Sequence, residues 1–216
     1  MSWKAVVFDF DGVLCDSRER AIQGVEQLRQ DVRFSVLPSP ARTGHFGELY
    51  RGPLNRALLH HGLSESESRE FFDRHAQFMR ENGGLSPLYP GVVEGLRGLA
   101  DYRLAIISSA YSDVIRDALT QSGYSNQELP IIGHEVHATK TEKARGLFAE
   151  WHIDASEAVY VGDMESDVEY CRALGLRCIA CTYGYHPRKL LRATGAWKLV
   201  DSPSELFGTL RKGAAA

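Results

Sequence analysis

Ala5-Val6-Val7-Phe8-Asp9-Phe10-Asp11-Gly12 is the stretch on which the reading of this chain turns. Its first four residues are apolar and β-rich, and they are bounded by Lys4 and Asp9. Such a run reads as a short strand buried on both faces. Two carboxylates two residues apart follow at its C-terminal end, and Gly12 lets the backbone turn sharply. Ionised carboxylates beside a buried strand are costly without a partner. A divalent cation is the natural partner, and a metal beside a nucleophilic carboxylate points to phosphoryl transfer. The alternative reading of the run alone, the lesser of the two, is a strand that happens to end in two acids.

The chain beyond residue 90 supplies the context. Short apolar runs at 104–107, 130–132, 158–161, 178–181 and 198–200 alternate with helical patterns at 91–100, 112–122, 141–151, 166–174 and 203–212. Ser112 and Pro203 read as helix starts. This alternation predicts an α/β fold, a doubly wound parallel sheet, in which ligands bind beyond the carboxyl ends of the strands. Residues 17–90 break the pattern and read as helices at 17–30, 45–61 and 64–82. Leu37-Pro38-Ser39-Pro40 and Asn82-Gly83-Gly84 read as punctuation between them. In the last of these helices Phe71, Phe72, His75 and Met79 are read as sharing a face. The expected organisation is a core from residues 1–16 and 88–216, with a helical insertion at 17–87.

Four separated segments each offer something that one phosphoryl-transfer site needs. They are Asp9 with Asp11, Ser108-Ser109 after the strand 104–107, Lys140 in the loop entering the helix 141–151, and Gly162-Asp163-Met164-Glu165-Ser166-Asp167 after the strand 158–161. A serine pair after a strand is most often a helix cap or turn, a lone lysine a solvated surface group, and a Gly-Asp a turn. All four in this order, each at a strand end, are hard to assign to chance.

On these residues the chain resembles the haloacid dehalogenase (HAD) superfamily of phosphatases with a small helical cap. Phe8-Asp9-Phe10-Asp11-Gly12-Val13-Leu14-Cys15-Asp16-Ser17 is close to the family's first motif, Ser108 to its second, and Gly162-Asp163 through Asp167 to its fourth. Lys140 sits where the third-motif lysine usually lies. The Lys-Pro pair common there is absent, so Lys143 remains a lesser candidate. Tyr89-Pro90-Gly91 and Thr182-Tyr183-Gly184-Tyr185-His186 are similar to the phosphoglycolate phosphatase-like branch.

The resemblance implies roles that match chemical need. Asp9 would attack phosphorus and become an aspartyl phosphate. Asp11 would protonate the leaving oxygen and then take a proton from the attacking water. Mg²⁺ would be held by Asp9, the backbone carbonyl of Asp11 and Asp163, with Asp167 an outer or water-mediated ligand. Ser108, the Ser109 N–H and Lys140 would receive the phosphoryl oxygens. The cap would read the leaving group of a small phosphorylated metabolite, phosphoglycolate-like or a sugar or nucleotide phosphate.

Absences narrow the choice within that family. No lysine occurs between Ala5 and Thr139, so the cap-lysine Schiff base of phosphonoacetaldehyde hydrolases is excluded, and β-phosphoglucomutase-like sugar recognition is disfavoured. Haloacid dehalogenases lack the second aspartate, which Asp11 supplies. Residues 17–90 carry ten arginines against nine acids. Of these, Arg42 and Arg51, with His45 between them around Gly44-Phe46-Gly47, form a candidate substrate cluster. The doublet His60-His61 reads as a helix end rather than a metal site. Two other readings stay open: a phosphotransferase or mutase of the same fold, and a catalytically idle phosphate-binding module.

Composition sets the outer bounds. The 216 residues, 44% hydrophobic, suffice for one core and a small accessory unit. A net charge of −3 gives no basic surface for nucleic acid. No apolar run approaches the ~18 residues of a membrane span. The start, Met1-Ser2-Trp3-Lys4, enters a strand without a hydrophobic leader. Four cysteines without a spaced framework fit a reducing compartment, so a cytoplasmic protein is expected. Cys178 and Cys181 form a C-x-x-C on a strand and read as structural, with redox or zinc chemistry as the alternative; Cys15 reads as buried and inert. A monomer is the default, with a dimer as the alternative.

Overall fold

A computed structural model describes residues 3–43, 54–82 and 86–213 of the chain. Six strands, β1 (Ala5–Phe8), β2 (Arg103–Ile107), β3 (Ile131–Ile132), β4 (Ala158–Gly162), β5 (Arg177–Cys181) and β6 (Lys198–Val200), form one sheet in the order β3-β2-β1-β4-β5-β6. Every neighbouring pair is parallel. The chain winds outward from β1 to β3 on one side and from β4 to β6 on the other. The crevice between β1 and β4 is thus the switch point at which a doubly wound sheet binds ligands.

Alternation along the strands sorts the core onto two faces. Val6, Phe8, Ile106, Val159, Val161 and Ile179 face one layer of helices, α5 (Val92–Arg97), α6 (Ser112–Gln121) and α10 (Pro203–Lys212). Ala5, Val7, Ala105, Ile107, Tyr160 and Ala180 face the other, α7 (Lys140–Trp151), α8 (Glu165–Leu174) and α9 (Arg188–Ala193). The same alternation puts Cys178 and Cys181 on opposite faces. Spaced by three along a strand, they point away from each other. All four cysteines are free and buried, in keeping with a structural role.

Pro203 opens α10 at its first turn, where its missing N–H costs nothing, and the Ser202 hydroxyl caps the helix by accepting from Glu205 N–H at 3.2 Å. Ser112 is the first residue of α6 rather than its cap, and its own N–H donates to the Glu135 carboxylate at 3.1 Å. The helix Arg188–Ala193 has no counterpart in the sequence reading. Its Arg-Lys-Leu-Leu-Arg-Ala carries too short an apolar stripe to announce a helix, and of its residues only Leu191 is buried.

Between β1 and β2 the helices α1 (Arg18–Leu28), α2 (Pro40–Thr43), α3 (Leu54–His60) and α4 (Glu65–Asn82) pack on one another around Val25, Leu28, Phe34, Leu37, Leu58 and Phe71. Leu37-Pro38-Ser39-Pro40 is therefore more than punctuation: Leu37 is buried and Pro40 begins a short helix. The expected helix at 45–61 is observed from Leu54; its first half lies outside the described residues. Phe34 meets Phe71 edge-on at 5.2 Å, with the Arg33 and Arg74 guanidinium groups over its ring at 5.1 and 5.3 Å. Two passages of chain connect this helical group to the sheet, and they run side by side. Asp16 N–H donates to the Pro87 carbonyl at 2.9 Å, and Tyr89 N–H to that of Leu14 at 2.9 Å.

The close approach of α10 to α5 rests on Gly95, where a Cβ would run into the Phe207 ring. Phe207 is 2% exposed and stacks obliquely on Phe8 at 6.3 Å. Phe207→Ala is expected to destabilise the fold by about 3–5 kcal/mol in urea denaturation, the range for an aromatic cavity in a close-packed core. A loss below about 1 kcal/mol would contradict this packing.

Candidate active site

Strand register alone brings the motif residues level. Phe8 pairs with Ile106 on one side and with Val161 on the other. Asp9 is one residue beyond Phe8, Ser108 is two beyond Ile106, and Asp163 is two beyond Val161. All three emerge at the carboxyl edge within a residue of one another. The last sheet bond of β1 runs from Asp9 N–H to the Val161 carbonyl at 2.8 Å, which ties the acid directly to β4.

Asp9, Asp163 and Asp167 form a buried cluster in which one carboxylate oxygen of each lies within 4.8 Å of the others. Lys140 joins it. Its ammonium donates to Asp9 Oδ2 and, at 2.9 Å, to Asp167 Oδ1. The lysine is aimed by its helix. Thr139 caps α7, accepting from Glu142 N–H at 3.2 Å, while Glu142 reaches back to Thr139 N–H at 2.8 Å. This capping box fixes the first turn, and Lys140 is its first residue. Lys140 thus lies within the helix and not in the loop before it. Its ammonium also sits 5.8 and 5.6 Å from the rings of Tyr160 and Tyr170.

Lys143 is turned elsewhere. It is buried, and its ammonium donates to the Gly133 carbonyl at 2.6 Å and stands 3.5 Å from that of Ser108. It ties together the loops that follow β2 and β3. Of the two lysines, only Lys140 touches Asp9. Ser108 is also buried, and its hydroxyl accepts from Ala110 N–H at 3.2 Å, a small turn that leaves Ser109 exposed at the pocket edge.

Both oxygens of Asp167 are engaged. Oδ1 accepts from Lys140, and Oδ2 from the N–H groups of Asp163 and Met164 at 3.0 and 2.9 Å. Asp167 therefore holds the loop on which Asp163 stands. Asp163 accepts from Tyr185 N–H at 2.6 Å. Glycines wall in both acids. A Cβ at Gly12 or Gly184 would strike the Asp163 carboxylate, and one at Gly162 would strike that of Asp167. Gly12 also holds φ +73°, a conformation in which a side chain is strained. Behind this loop His186 is fully buried and accepts at Nδ1 from Glu165 N–H at 3.1 Å. Glu165 itself is not among the clustered acids.

Asp11 lines the same pocket as Asp9, Ser108, Lys140 and Asp163. Burial pushes its carboxyl up to about 6, against the lowering effect of the Ser17 hydroxyl. Ser17 in turn pairs with the Tyr185 hydroxyl at 2.9 Å. A carboxyl poised in that range both gives and takes a proton near neutrality. Burial also raises Asp9, an effect that the Lys140 ammonium opposes. Burial, reinforced by Asp167 and Asp9, holds Asp163 well above the carboxylate range. Burial disfavours the charged form of Lys140, but Asp167 and Asp9 outweigh it and hold the ammonium well above the ordinary lysine range.

The roof over Asp9 comes from α4, whose Phe72, His75, Ala76 and Met79 line the pocket. Phe71 departs from the expected face. It turns inward to Phe34 and leaves Phe72 to point at the site. His75 pairs through Nε2 with the Ala21 carbonyl oxygen at 3.0 Å, and burial lowers its basicity. Two pairs clasp α4 to the sheet side: Arg80 with Asp113 at 2.6 Å, and Asp73 with His134 at 3.4 Å. Of the expected substrate cluster, Arg42 is exposed at the end of α2 and lines no pocket found among the described residues; His45 and Arg51 lie outside those residues. Ser17, Tyr170, Tyr185 and the α4 roof were not read as site residues. The i, i+3, i+4, i+7 spacing of Phe72, His75, Ala76 and Met79 carried the signal for the roof, and Ser17 and Tyr185 lie in stretches that carry the family resemblance.

The family model for haloacid dehalogenase-like hydrolases matches residues 6–181. The phosphoglycolate phosphatase (plasmid) of Cupriavidus necator is 30% identical over 207 residues, spanning 92% of this chain and 89% of its own length. The phosphoglycolate phosphatase of Vibrio parahaemolyticus is 27% identical over 218 residues, 94% of each chain. Among solved structures, a predicted phosphatase from Clostridium acetobutylicum superposes with a TM-score of 0.80 at 22% identity, covering 98% of this chain and all of its own. The chain belongs to the haloacid dehalogenase-like hydrolase family, among the phosphatases that resemble phosphoglycolate phosphatase, which makes it a phosphoric monoester hydrolase. No helix among the described residues is long and apolar enough to cross a membrane.

The glycine wall is testable by itself. Gly184→Ala is expected to displace Asp163 and lower turnover of an aryl phosphate by about 10²-fold, the cost of a misplacement near 1 Å, with the circular dichroism spectrum kept. Turnover within about twofold of the unaltered chain would contradict the close packing of Gly184 on Asp163.

Proposed function

We propose that this phosphatase hydrolyses a small phosphorylated metabolite of phosphoglycolate-like kind, with Mg²⁺ and through a phosphorylated Asp9. The observation that carries the reading is a buried nucleophilic carboxylate, Asp9, at the floor of a pocket lined also by Ser108, Lys140, Asp11 and Asp163. The names of the relatives from Cupriavidus necator and Vibrio parahaemolyticus support the substrate class.

The donor set fits a hard divalent cation. Asp9, Asp11 and Asp163 line the pocket and Asp167 clusters with Asp9 and Asp163 behind it, against the single ammonium of Lys140. Burial raises the carboxyls of Asp9 and Asp163, and the neighbouring Asp167 adds to the effect at both. Asp9 and Asp163, with the backbone carbonyl of Asp11, would hold the ion, while Asp167 keeps Lys140 and the Asp163 loop in place. When bound, Mg²⁺ supplies positive charge that offsets the approach of a phosphate dianion to a carboxylate.

The remaining steps belong to the chain's own residues. A dianion approaching Asp9 to about 4 Å meets a repulsion of roughly 1–4 kcal/mol per charge pair, of which about 1.4 kcal/mol is already tenfold in rate. Lys140 offsets part of this from beside Asp9. The Ser108 hydroxyl and the Ser109 N–H donate to the phosphoryl oxygens, as oxyanion-type groups do. Asp9 then forms the bond to phosphorus as the ester oxygen leaves, and Asp11 protonates that oxygen. Asp11 next takes a proton from water, which attacks the phosphorylated Asp9 and releases phosphate. Residues 17–87 act as a cap on the core formed by 1–16 and 88–216. The paired crossings at Asp16 and Pro87 serve as its hinge, and the apolar roof of α4 excludes water. The free, buried cysteines suit a cytoplasmic enzyme.

Asp9→Asn is expected to lower phosphate release from an aryl phosphate by more than about 10⁴-fold with the fold intact, because the amide cannot accept phosphorus; activity near the unaltered level would sink the nucleophile assignment. Lys140→Met and Lys143→Met separate the two lysines. The first should lower kcat by about 10²–10³-fold, whereas the second should act chiefly on stability, read as a fall in the urea midpoint. The reverse pattern would transfer the phosphate-side role to Lys143. Removal of divalent cations by a chelator should abolish turnover, and Mg²⁺ should restore it. Full activity in the chelated enzyme would exclude the metal.

A further inference from the structure

Ser17 stands at the N-cap of α1, where a serine hydroxyl ordinarily accepts from an N–H of the first turn. Here it makes no such bond. It is 1% exposed, and its oxygen instead meets the Tyr185 hydroxyl at 2.9 Å and reaches the Asp11 carboxyl. Ser17 and Asp11 also line one small space together, with Ala76 and Met79 of α4. The helix thus forgoes its side-chain cap, and the hydroxyl is committed to an acid of the pocket and to a tyrosine 168 positions away. The hydrolytic steps above give neither Ser17 nor the Tyr185 hydroxyl a part.

Tyr185 is carried there by the loop after β5, which is fastened over the first acidic turn. The Tyr183 hydroxyl donates to the Val13 carbonyl at 3.1 Å, and Tyr185 N–H donates to Asp163. Gly12 admits the Tyr185 ring, since a Cβ there would stand 3.1 Å from Cδ1 of that ring. The ring is buried in the apolar cluster of the inserted helices, with Ala21 and Val25 of α1. Packing accounts for the ring; the bond to Ser17 accounts for the hydroxyl. The direction of that bond follows from chemistry. A serine hydroxyl has one proton, and a carboxylate only accepts. The Ser17 proton therefore goes to Asp11, and the Tyr185 O–H donates to Ser17 Oγ.

We infer that Ser17 and Tyr185 are positioning residues for the acid step, a hydroxyl relay that keeps the Asp11 proton turned to the leaving oxygen. The inference rests on the phosphatase reading above, in which Asp11 protonates that oxygen. Proton transfer needs the acid within hydrogen-bond reach of the atom it serves. When Asp11 carries its proton, the Ser17 O–H occupies one carboxyl oxygen and the proton stays on the other. The Tyr185 O–H holds Ser17 in that direction. Without it, the serine hydroxyl is free to rotate and accept the Asp11 proton itself, which withdraws the proton from the ester.

The test is the ratio of kcat/KM for nitrophenyl phosphate, which departs as a stable phenolate, to that for ethyl phosphate, whose oxygen needs a proton to leave. Here kcat/KM reports the steps up to departure of the leaving group. The ratio should rise by about 10²-fold in Asp11→Asn, the scale of general acid catalysis. It should rise by about tenfold in Ser17→Ala and by about fivefold in Tyr185→Phe, which keeps the ring and the backbone N–H. Damage to packing alone would slow both esters alike and leave the ratio where it was. The double variant should match Ser17→Ala, because Tyr185 acts through Ser17. A ratio within about twofold of the unaltered enzyme in either Ser17→Ala or Tyr185→Phe overturns the inference, and the phosphatase reading stands if Asp11→Asn still moves it. A ratio unmoved in Asp11→Asn removes the acid role of Asp11 and the inference with it. An unaltered enzyme inert towards both esters overturns the phosphatase reading itself.

Discussion

Asp9, Asp163 and Asp167 form one buried cluster with a single ammonium, and that surplus of negative charge is the constraint on which the rest of the structure depends. Carboxylates without water or cations ionise reluctantly, and burial moves Asp9 and Asp163 in that direction. The chain commits much to keeping them there. Lys140 bridges Asp9 and Asp167, backbone N–H groups clamp Asp163 and Asp167, and three glycines give up side chains so that the acids fit. A structure indifferent to that charge would bury leucines in their place. We propose that the arrangement holds unfavourable charge ready for a cation and a phosphoryl group.

The sheet makes the arrangement possible at low cost. Parallel strands end level, so residues from β1, β2 and β4 reach one place without long loops. The acids stand at the switch point, where the helices on either side diverge and leave a crevice. Stability comes from the two apolar faces of the sheet, well away from the acids. The helical group between β1 and β2 has its own apolar cluster and is attached through two adjacent passages of chain, the exposed Arg80–Asp113 ion pair and the contact of Asp73 with His134. An exposed ion pair of this kind is individually weak.

Much of this was written locally in the sequence. Asp9, Ser108 and Asp163 each directly follow an apolar run, so strand ends and site residues were read together. Residues whose role depends on direction were not readable. Lys140 and Lys143 are three apart on one helix, and only the Thr139–Glu142 capping box, a signal present in the sequence, sets which of them meets Asp9. Phe71 and Phe72 are adjacent and equally apolar; packing against Phe34 takes the first and leaves the second for the pocket. Arginine count in the cap carried no orientation. Arg42 is turned to solvent, while Arg56, which drew no notice, stands by the site. Tyr185 contributes a backbone N–H to Asp163, a role that no side-chain pattern announces.

Calorimetric titration of the full chain with Mg²⁺, in the absence of any phosphate ester, tests the charge argument without relying on turnover. The account predicts one saturable site per chain, weakened by Asp163→Asn in a variant that keeps its fold by circular dichroism. No saturable heat from the unaltered chain, or binding undiminished by Asp163→Asn, would contradict it.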